Sequence, residues 1–163
     1  MEPDAAPGDG RAESASSRAD RNWNDILQEV RVTQAGTQIL TGFLLAIAFQ
    51  PRFALLDAYQ HVLYLCLVVV AVSTTALSLL PVSLHRLLFH RQVKSATVRF
   101  GDLVLRFVLV GVALTLSGTI MLIFDVAVSR LAGLVAGATA AALAVVLGVV
   151  VPLLVRAASH RMP

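Results

Sequence analysis

The amino-acid sequence predicts an all-α integral membrane protein with four transmembrane helices. Hydrophobic residues make up 57% of the 163 positions and charged residues only 14%, well outside the averages of a soluble domain. Three apolar runs contain no charged residue at all: residues 62–80, 107–124 and 131–155. An uncharged run of about 20 residues can cross the ~30 Å hydrocarbon core as a helix, because a helix satisfies its backbone polar groups internally.

The first 30 residues are expected to lie outside the bilayer. Residues 1–20 combine Pro, Gly, Ser and mixed charge with almost no large apolar side chain, which predicts a disordered cytoplasmic tail. Their acidic and small residues do not make a signal peptide. After Asn22, apolar residues with the spacing i, i+3, i+4, i+7 predict a short cytoplasmic amphipathic helix: Trp23, Ile26, Leu27 and Val30. We expect the Trp23 ring at headgroup depth.

The transmembrane domain is expected to cover residues 21–158, followed by a short cytoplasmic end at 159–163. Its spans are predicted at about residues 31–50, 58–80, 98–124 and 131–155. Pro51 and Pro81 mark helix boundaries, and Asp57 followed by Gln60 resembles a capping box that begins the second span.

The basic residues predict the orientation of these spans. Arg and Lys concentrate in cytoplasmic loops. Placing both termini and the 82–97 loop inside leaves only Arg52 and Arg130 outside and puts all the other basic residues on the cytoplasmic side, among them Arg18, Arg21, Arg31, Arg86, Arg91, Lys94, Arg99, Arg106, Arg156 and Arg161. The sequence therefore predicts a multi-pass membrane protein with both termini in the cytoplasm.

The positive charge indicates a lipid partner. Residues 82–96 hold basic side chains around leucines, a pattern typical of a segment on the membrane surface that contacts anionic headgroups. Basic residues flank the apolar runs instead of alternating with aromatics, so no nucleic-acid partner is expected. His85 and His90 are five residues apart and predict no metal site. Cys66 is the only cysteine and forms no intramolecular disulfide.

The first span carries a polar stripe. Its members lie within one side of a helix and are expected to face away from lipid: Gln34, Thr37, Gln38 and Thr41. They either line a polar path or hydrogen-bond to neighbouring helices as packing contacts, and packing is the favoured alternative.

The fourth span carries small residues at four-residue spacing, which lets helix backbones approach closely. We expect helix packing through Gly133, Gly137, Ala136, Ala140, Ala141 and Ala144. Packing within one chain and self-association into a homo-oligomer both fit this pattern.

The sequence also offers candidate residues for an ion or proton site. Asp57 and His61 lie one helical turn apart at the outer end of the second span. Asp125, in the neighbouring turn between the third and fourth spans, is a third candidate member. Helix capping alone also explains Asp57.

Three segments resemble landmarks of a small actinobacterial family of four-helix membrane proteins of unknown function, whose members are often automatically named sodium:proton antiporters: RNWNDILQEVRVTQAGTQILTGFLLAIAFQPRF, LPVSLHRLLF and LIFDV. The resemblance implies four helices and a bacterial cell membrane, with no established mechanism. Cation–proton exchange normally uses a carboxylate inside the membrane, and no predicted span has an acid at mid-depth.

The sequence leaves two functions open. A monovalent cation/proton antiporter would use Asp57, His61 and the polar stripe, whereas a non-transporting assembly or regulatory protein would use the small-residue face and the basic loop. No nucleophile–base pair, metal motif or cofactor motif is present, so no enzymatic activity and no cofactor are expected.

Overall fold

The computed structural model describes residues 14–83 and 94–159. The tail before residue 14 and the basic residues His85, Arg86, His90 and Arg91 lie outside the described residues. Within those ranges the protein is all-helical, with α1 at Ala15–Ile47, a 3₁₀ turn at Pro51–Leu55, α2 at Ala58–Ser78, α3 at Lys94–Ala127, α4 at Arg130–Val145, a π turn at Val146–Val150 and α5 at Val151–Ser159.

Three helices in the described part of the chain are long and apolar enough to cross a membrane. The first covers Ala58–Ser83 and includes α2, the second covers Phe100–Ala127 within α3, and the third covers Arg130–Ser159 and includes α4, the π turn and α5. Their mean hydropathy is 2.3, 2.4 and 2.6. The α1 helix is long enough to cross a membrane, but its amide, hydroxyl and charged residues make it too polar to be counted as a candidate span by composition. The predicted all-helical architecture is therefore confirmed, and its composition indicates a membrane protein with three clear candidate spans.

The α1 helix joins the predicted amphipathic helix and the predicted first span into one element. It begins at Ala15, upstream of residue 21 where the sequence predicts the helical domain to start. Ser14 caps it, because its Oγ accepts a hydrogen bond from the Ser17 backbone N–H at 3.2 Å. Its 33 residues give a length of about 50 Å.

The helices divide into two compact units. The first unit comprises the described parts of Met1–Gly42 and Val72–Val110. Here Trp23 is 7% exposed, and a Cβ placed on Gly101 would lie 2.8 Å from its ring. Gly101 thus allows α1 and α3 to approach closely, and Trp23, which we expected among lipid headgroups, is packed inside the protein. Val30 and Val108 are each 1% exposed in the same unit.

The second unit comprises Phe43–Ala71 and the described part of Gly111–Pro163. Its core is a cluster of apolar residues from α1, α2 and α3: Leu44, Tyr64, Leu67, Ala71 and Leu122. Gly118 contacts Leu67 so closely that an added Cβ would overlap the leucine side chain. The two glycines, one in each unit, therefore bring α3 close to its neighbours.

Tyr64 closes the carboxyl-terminal end of α1. Its hydroxyl donates a hydrogen bond to the Leu44 carbonyl at 3.0 Å, and Leu44 lies in the last turn of the helix, where carbonyls lack intrahelical partners. The 3₁₀ turn places the Phe53 ring edge-on to Tyr64, with 4.9 Å between the ring centroids.

Replacing Tyr64 by phenylalanine is expected to lower the free energy of unfolding by about 1 kcal/mol, because the buried Leu44 carbonyl loses its donor while the ring stays in place. Thermal unfolding in detergent checks this. Tyr59→Phe is the control, since Tyr59 is 38% exposed and its ring contact does not need the hydroxyl. Equal effects of the two substitutions would contradict the role assigned to Tyr64.

Helix α4 packs on α3 through glycine. A Cβ on Gly133 would lie 2.7 Å from the Met121 carbonyl oxygen, and one on Gly137 would lie 2.7 Å from the Met121 Cβ. Further along, Pro152 has no N–H to donate and would crowd the carbonyl four residues earlier. The π turn relieves this conflict, with the Val151 N–H donating to the Val146 carbonyl five residues back.

Candidate functional site

The candidate site begins at the amino terminus of α2. The Gln60 backbone N–H donates to the Asp57 Oδ1 at 2.8 Å, and the Asp57 backbone N–H donates to the Gln60 Oε1 at 3.0 Å. The predicted capping box is therefore confirmed. It fixes the Asp57 side chain at the start of the helix and leaves its Oδ2 for another partner.

The turn between α3 and α4 supplies that partner. Ser129 caps α4, with its Oγ accepting a hydrogen bond from the Ala132 N–H at 3.3 Å, and Arg130 is the first residue of the helix. A cation at this position opposes the helix dipole, whose positive end is the amino terminus. Acidic partners must offset that unfavourable placement.

Arg130 contacts two carboxylates. Its Nη2 donates to the Asp57 Oδ2 at 2.6 Å, and its Nε lies 3.1 Å from the Asp125 Oδ2. The guanidinium carbon also lies 3.7 Å from the centroid of the Tyr59 ring, within the range of a cation–π contact. One guanidinium therefore joins the start of α2 to the end of α3. We call Asp57, Tyr59, Gln60, Asp125 and Arg130 the arginine clamp.

Asp125 is the buried member of the arginine clamp. Its side chain is 4% exposed, against 42% for Arg130 and 53% for Asp57. The Gln60 Nε2 donates to the Asp125 Oδ1 at 3.3 Å. The Asp125 Oδ2 is buried and receives no hydrogen bond from the described residues, although the Arg130 Nε lies within ion-pair distance of it. Two carboxylates share one cation, so the arginine clamp carries an excess negative charge.

The structure brings two of the three candidate ion-site residues together. Asp57 and Asp125 meet on Arg130, whereas the His61 ring packs edge-on against Phe53, with 4.6 Å between the ring centroids. Sequence reasoning treated Arg130 only as an outside charge. The signal that identifies it is an arginine at the first position of a helix, where the dipole requires compensation.

Comparison with known proteins identifies the chain by family only. Residues 12–152 match the model of a family described as a family of unknown function (DUF6328). The chain belongs to this family. No curated protein and no solved structure matches it. The family description gives no function, which agrees with the family of unknown function that the sequence resembles. The match supports neither an actinobacterial source nor the antiporter name.

In this DUF6328 member the polar stripe of α1 is divided. Thr37 and Thr41 are buried, Gln34 is half-buried and Gln38 is exposed. The Thr37 Oγ1 donates to the Gln34 carbonyl at 2.9 Å, and the Thr41 and Thr75 hydroxyls lie 3.2 Å apart between α1 and α2. Thr41 therefore contacts α2, whereas the Thr37 hydroxyl bonds within α1.

The small-residue face of this DUF6328 member is also divided. Gly133 and Gly137 are buried against α3 within the same chain. The alanines are less covered: Ala136, Ala140 and Ala144 are half-buried, and Ala141 is exposed. The glycines account for intramolecular packing, and the alanines beyond them are less enclosed.

Outside the arginine clamp, Asp102 and Arg106 form an ion pair at 2.8 Å on the exposed side of α3. No group of three or more His, Cys, Asp or Glu side chains that could hold a metal ion is found in the described ranges. Among the described residues, the arginine clamp contains the most deeply buried charged side chain, that of Asp125. Both of its carboxylates are already paired with the Arg130 guanidinium.

Proposed function

We propose that the chain is a four-span protein of a bacterial inner membrane, with both termini cytoplasmic, that works by assembling with other membrane proteins and not by carrying ions. The proposal assigns it no enzymatic activity. Its lipid contacts are with anionic headgroups on the basic cytoplasmic side.

The exposed surface of α1 supports its assignment as a membrane span in addition to the three clear candidates. From Val32 onward, large apolar side chains point outward, with Val32 71%, Ile39 62% and Phe43 68% exposed, while Thr37 and Thr41 are buried. Residues 31–47 of this helix rise by about 25 Å, close to the thickness of the hydrocarbon core. Composition alone hides this arrangement, because it averages the inward and outward faces.

The pairing of the acids carries the functional proposal. Beyond residue 30 the sequence has three acids, Asp57, Asp102 and Asp125, and each lies within ion-pair distance of an arginine. Exchange of a proton for a cation needs a carboxylate whose occupant changes. At these three acids a covalently attached guanidinium already occupies that position, which favours an assembly role over a carrier.

The topology is tested by labelling single cysteines in a Cys66→Ala background. Cysteines replacing Ser16, Ser95 or Ser159 should react with an impermeant reagent only from the cytoplasmic side, and cysteines replacing Arg52 or Ser129 only from outside. Reaction of the Ser95→Cys variant from the outside would overturn the arrangement, because the strongest basic cluster surrounds that residue.

Monovalent cation/proton exchange, as in a sodium:proton antiporter, is a second candidate, and one observation favours it. The arginine clamp holds two carboxylates on one guanidinium, and the buried Asp125 Oδ2 accepts no hydrogen bond from the part of the chain that the structure describes. If Arg130 moved away, the two carboxylates would leave their oxygens open to a monovalent cation.

A flux assay in proteoliposomes separates the two functions. We expect no sodium-, potassium- or lithium-driven pH change with the wild-type protein between about pH 6 and 9, a range that brackets an ordinary histidine. Cation-driven flux that Asp57→Asn or Asp125→Asn abolishes, with unfolding temperature retained, would instead establish exchange at the arginine clamp. Asparagine caps a helix about as well as aspartate, so Asp57→Asn tests the charge.

A further inference from the structure

We propose that a second copy of the chain docks on α1 through Gln38. The inference rests on the proposed function in one respect, namely that α1 crosses the membrane. Gln38 lies seven residues after Arg31 and nine before Ile47, so it falls near the middle of the spanning part of the helix. Its side chain is exposed, and no described residue forms a hydrogen bond with its amide.

An amide in this position needs a partner. The hydrocarbon core offers neither donors nor acceptors, and a polar group placed there without a hydrogen bond is strongly unfavourable. Thr37 and Thr41, two further members of the polar stripe, bond within their own helix or to Thr75, and Gln34 is half-buried. Gln38 is the member of the polar stripe that the chain leaves on its outer surface.

The surface around Gln38 has the pattern of a helix–helix seam. The exposed residues Ala35, Gln38, Gly42 and Leu45 follow one another at spacings of three, four and three. This is the a/d repeat of two helices that cross at a shallow angle. A Cβ placed on Gly42 would meet nothing within 4 Å, so a neighbouring backbone can approach there. We call these four residues the α1 seam.

A second copy fits the α1 seam because glutamine complements itself. Its amide has both donors and an acceptor, so two Gln38 side chains related by a two-fold axis can satisfy each other. Small residues flank the amide on the same seam and allow that approach. Lipid tails cannot supply these hydrogen bonds, which leaves a protein surface of matching polarity as the occupant.

Disulfide cross-linking in membranes tests the proposal. In a Cys66→Ala background, Leu45→Cys should give a covalent dimer under mild oxidation, because Leu45 lies on the α1 seam seven residues from Gln38. Phe43→Cys is the matched control: it is more exposed, at 68% against 45%, but lies about 160° around the helix from Leu45. We expect at least a tenfold faster cross-link at Leu45.

The role of the amide is tested on that cross-linking background. Gln38→Leu should slow the cross-link at least tenfold, and Gln38→Asn, which keeps a self-complementary amide, should retain most of it. Equal cross-linking at positions 43 and 45, or a rate unchanged by Gln38→Leu, would overturn the proposal, as would a monomeric mass in detergent together with cross-linking only to a different protein.

The same preparation distinguishes failure of this inference from failure of the proposed function. Labelling of cysteines at residues 16 and 52 from opposite sides shows that α1 crosses the bilayer. If the labelling is two-sided and the cross-link is absent, the dimer proposal alone is wrong. If both positions label from one side, the four-span topology is wrong as well.

Discussion

A single methyl group at position 133 is expected to destabilise the protein strongly. In Gly133→Ala the new Cβ would lie 2.7 Å from the Met121 carbonyl oxygen and 2.9 Å from the Asp125 Cβ, so α4 must move away from α3. Overpacking of this kind costs about 1–3 kcal/mol, which outweighs the gain of up to ~1 kcal/mol from replacing glycine by alanine within a helix. The unfolding temperature in detergent should fall.

Gly36→Ala is the control, and we expect it not to lower the unfolding temperature. Nothing lies within 4 Å of a Cβ placed on Gly36, so only the helix-propensity gain remains. We expect its unfolding temperature to be unchanged or higher. If Gly133→Ala is as well tolerated as Gly36→Ala, then the close approach of α4 to α3 does not stabilise the fold.

Replacing Arg130 by glutamine should have the other large effect. It leaves the carboxylate of Asp125, whose side chain is 4% exposed, without its cation, and it removes the 2.6 Å contact to Asp57. Breaking a buried pair costs about 3–5 kcal/mol, and an exposed pair contributes at most about 1 kcal/mol. Because Arg130 is itself 42% exposed, we expect a loss between these two values.

Two further variants identify the cause. Arg106→Gln breaks the exposed pair with Asp102, whose side chains are 73% and 51% exposed, and should change the unfolding temperature little. Adding Asp125→Asn to Arg130→Gln removes the stranded charge and should recover part of the lost stability. A double variant less stable than Arg130→Gln would show that Asp125 stabilises the protein through contacts other than the ion pair.

Local signals in the sequence predicted local structure well. The uncharged runs in α2, α3 and α4 predicted their helices, because hydropathy over 20 residues depends on composition alone. Asp57 and Gln60 predicted their reciprocal cap, since a capping box involves residues three apart on one helix. Neither inference needs to know which helices are neighbours.

Residues whose role depends on a distant partner were harder to interpret. Trp23 has the amphipathic character of a headgroup anchor, but it is buried because Gly101, 78 residues later, leaves room for its ring. Arg130 appeared to be a simple outside charge because its partner Asp57 is 73 residues away. A helical wheel also could not show that α2 covers Thr41 but leaves Gln38 exposed, since the wheel does not say where the neighbouring helix lies.

The π turn at Val146–Val150 changes the phase of everything that follows it. A wide turn holds about one residue more than an α turn, so the side chains after it are rotated by roughly 100° relative to a continuous α-helix. The four-residue ladder through Ala136, Ala140 and Ala144 therefore does not continue as a straight line through Gly148. A partner helix that follows the ladder would lose its register there, and residues from Val151 onward offer it a different face.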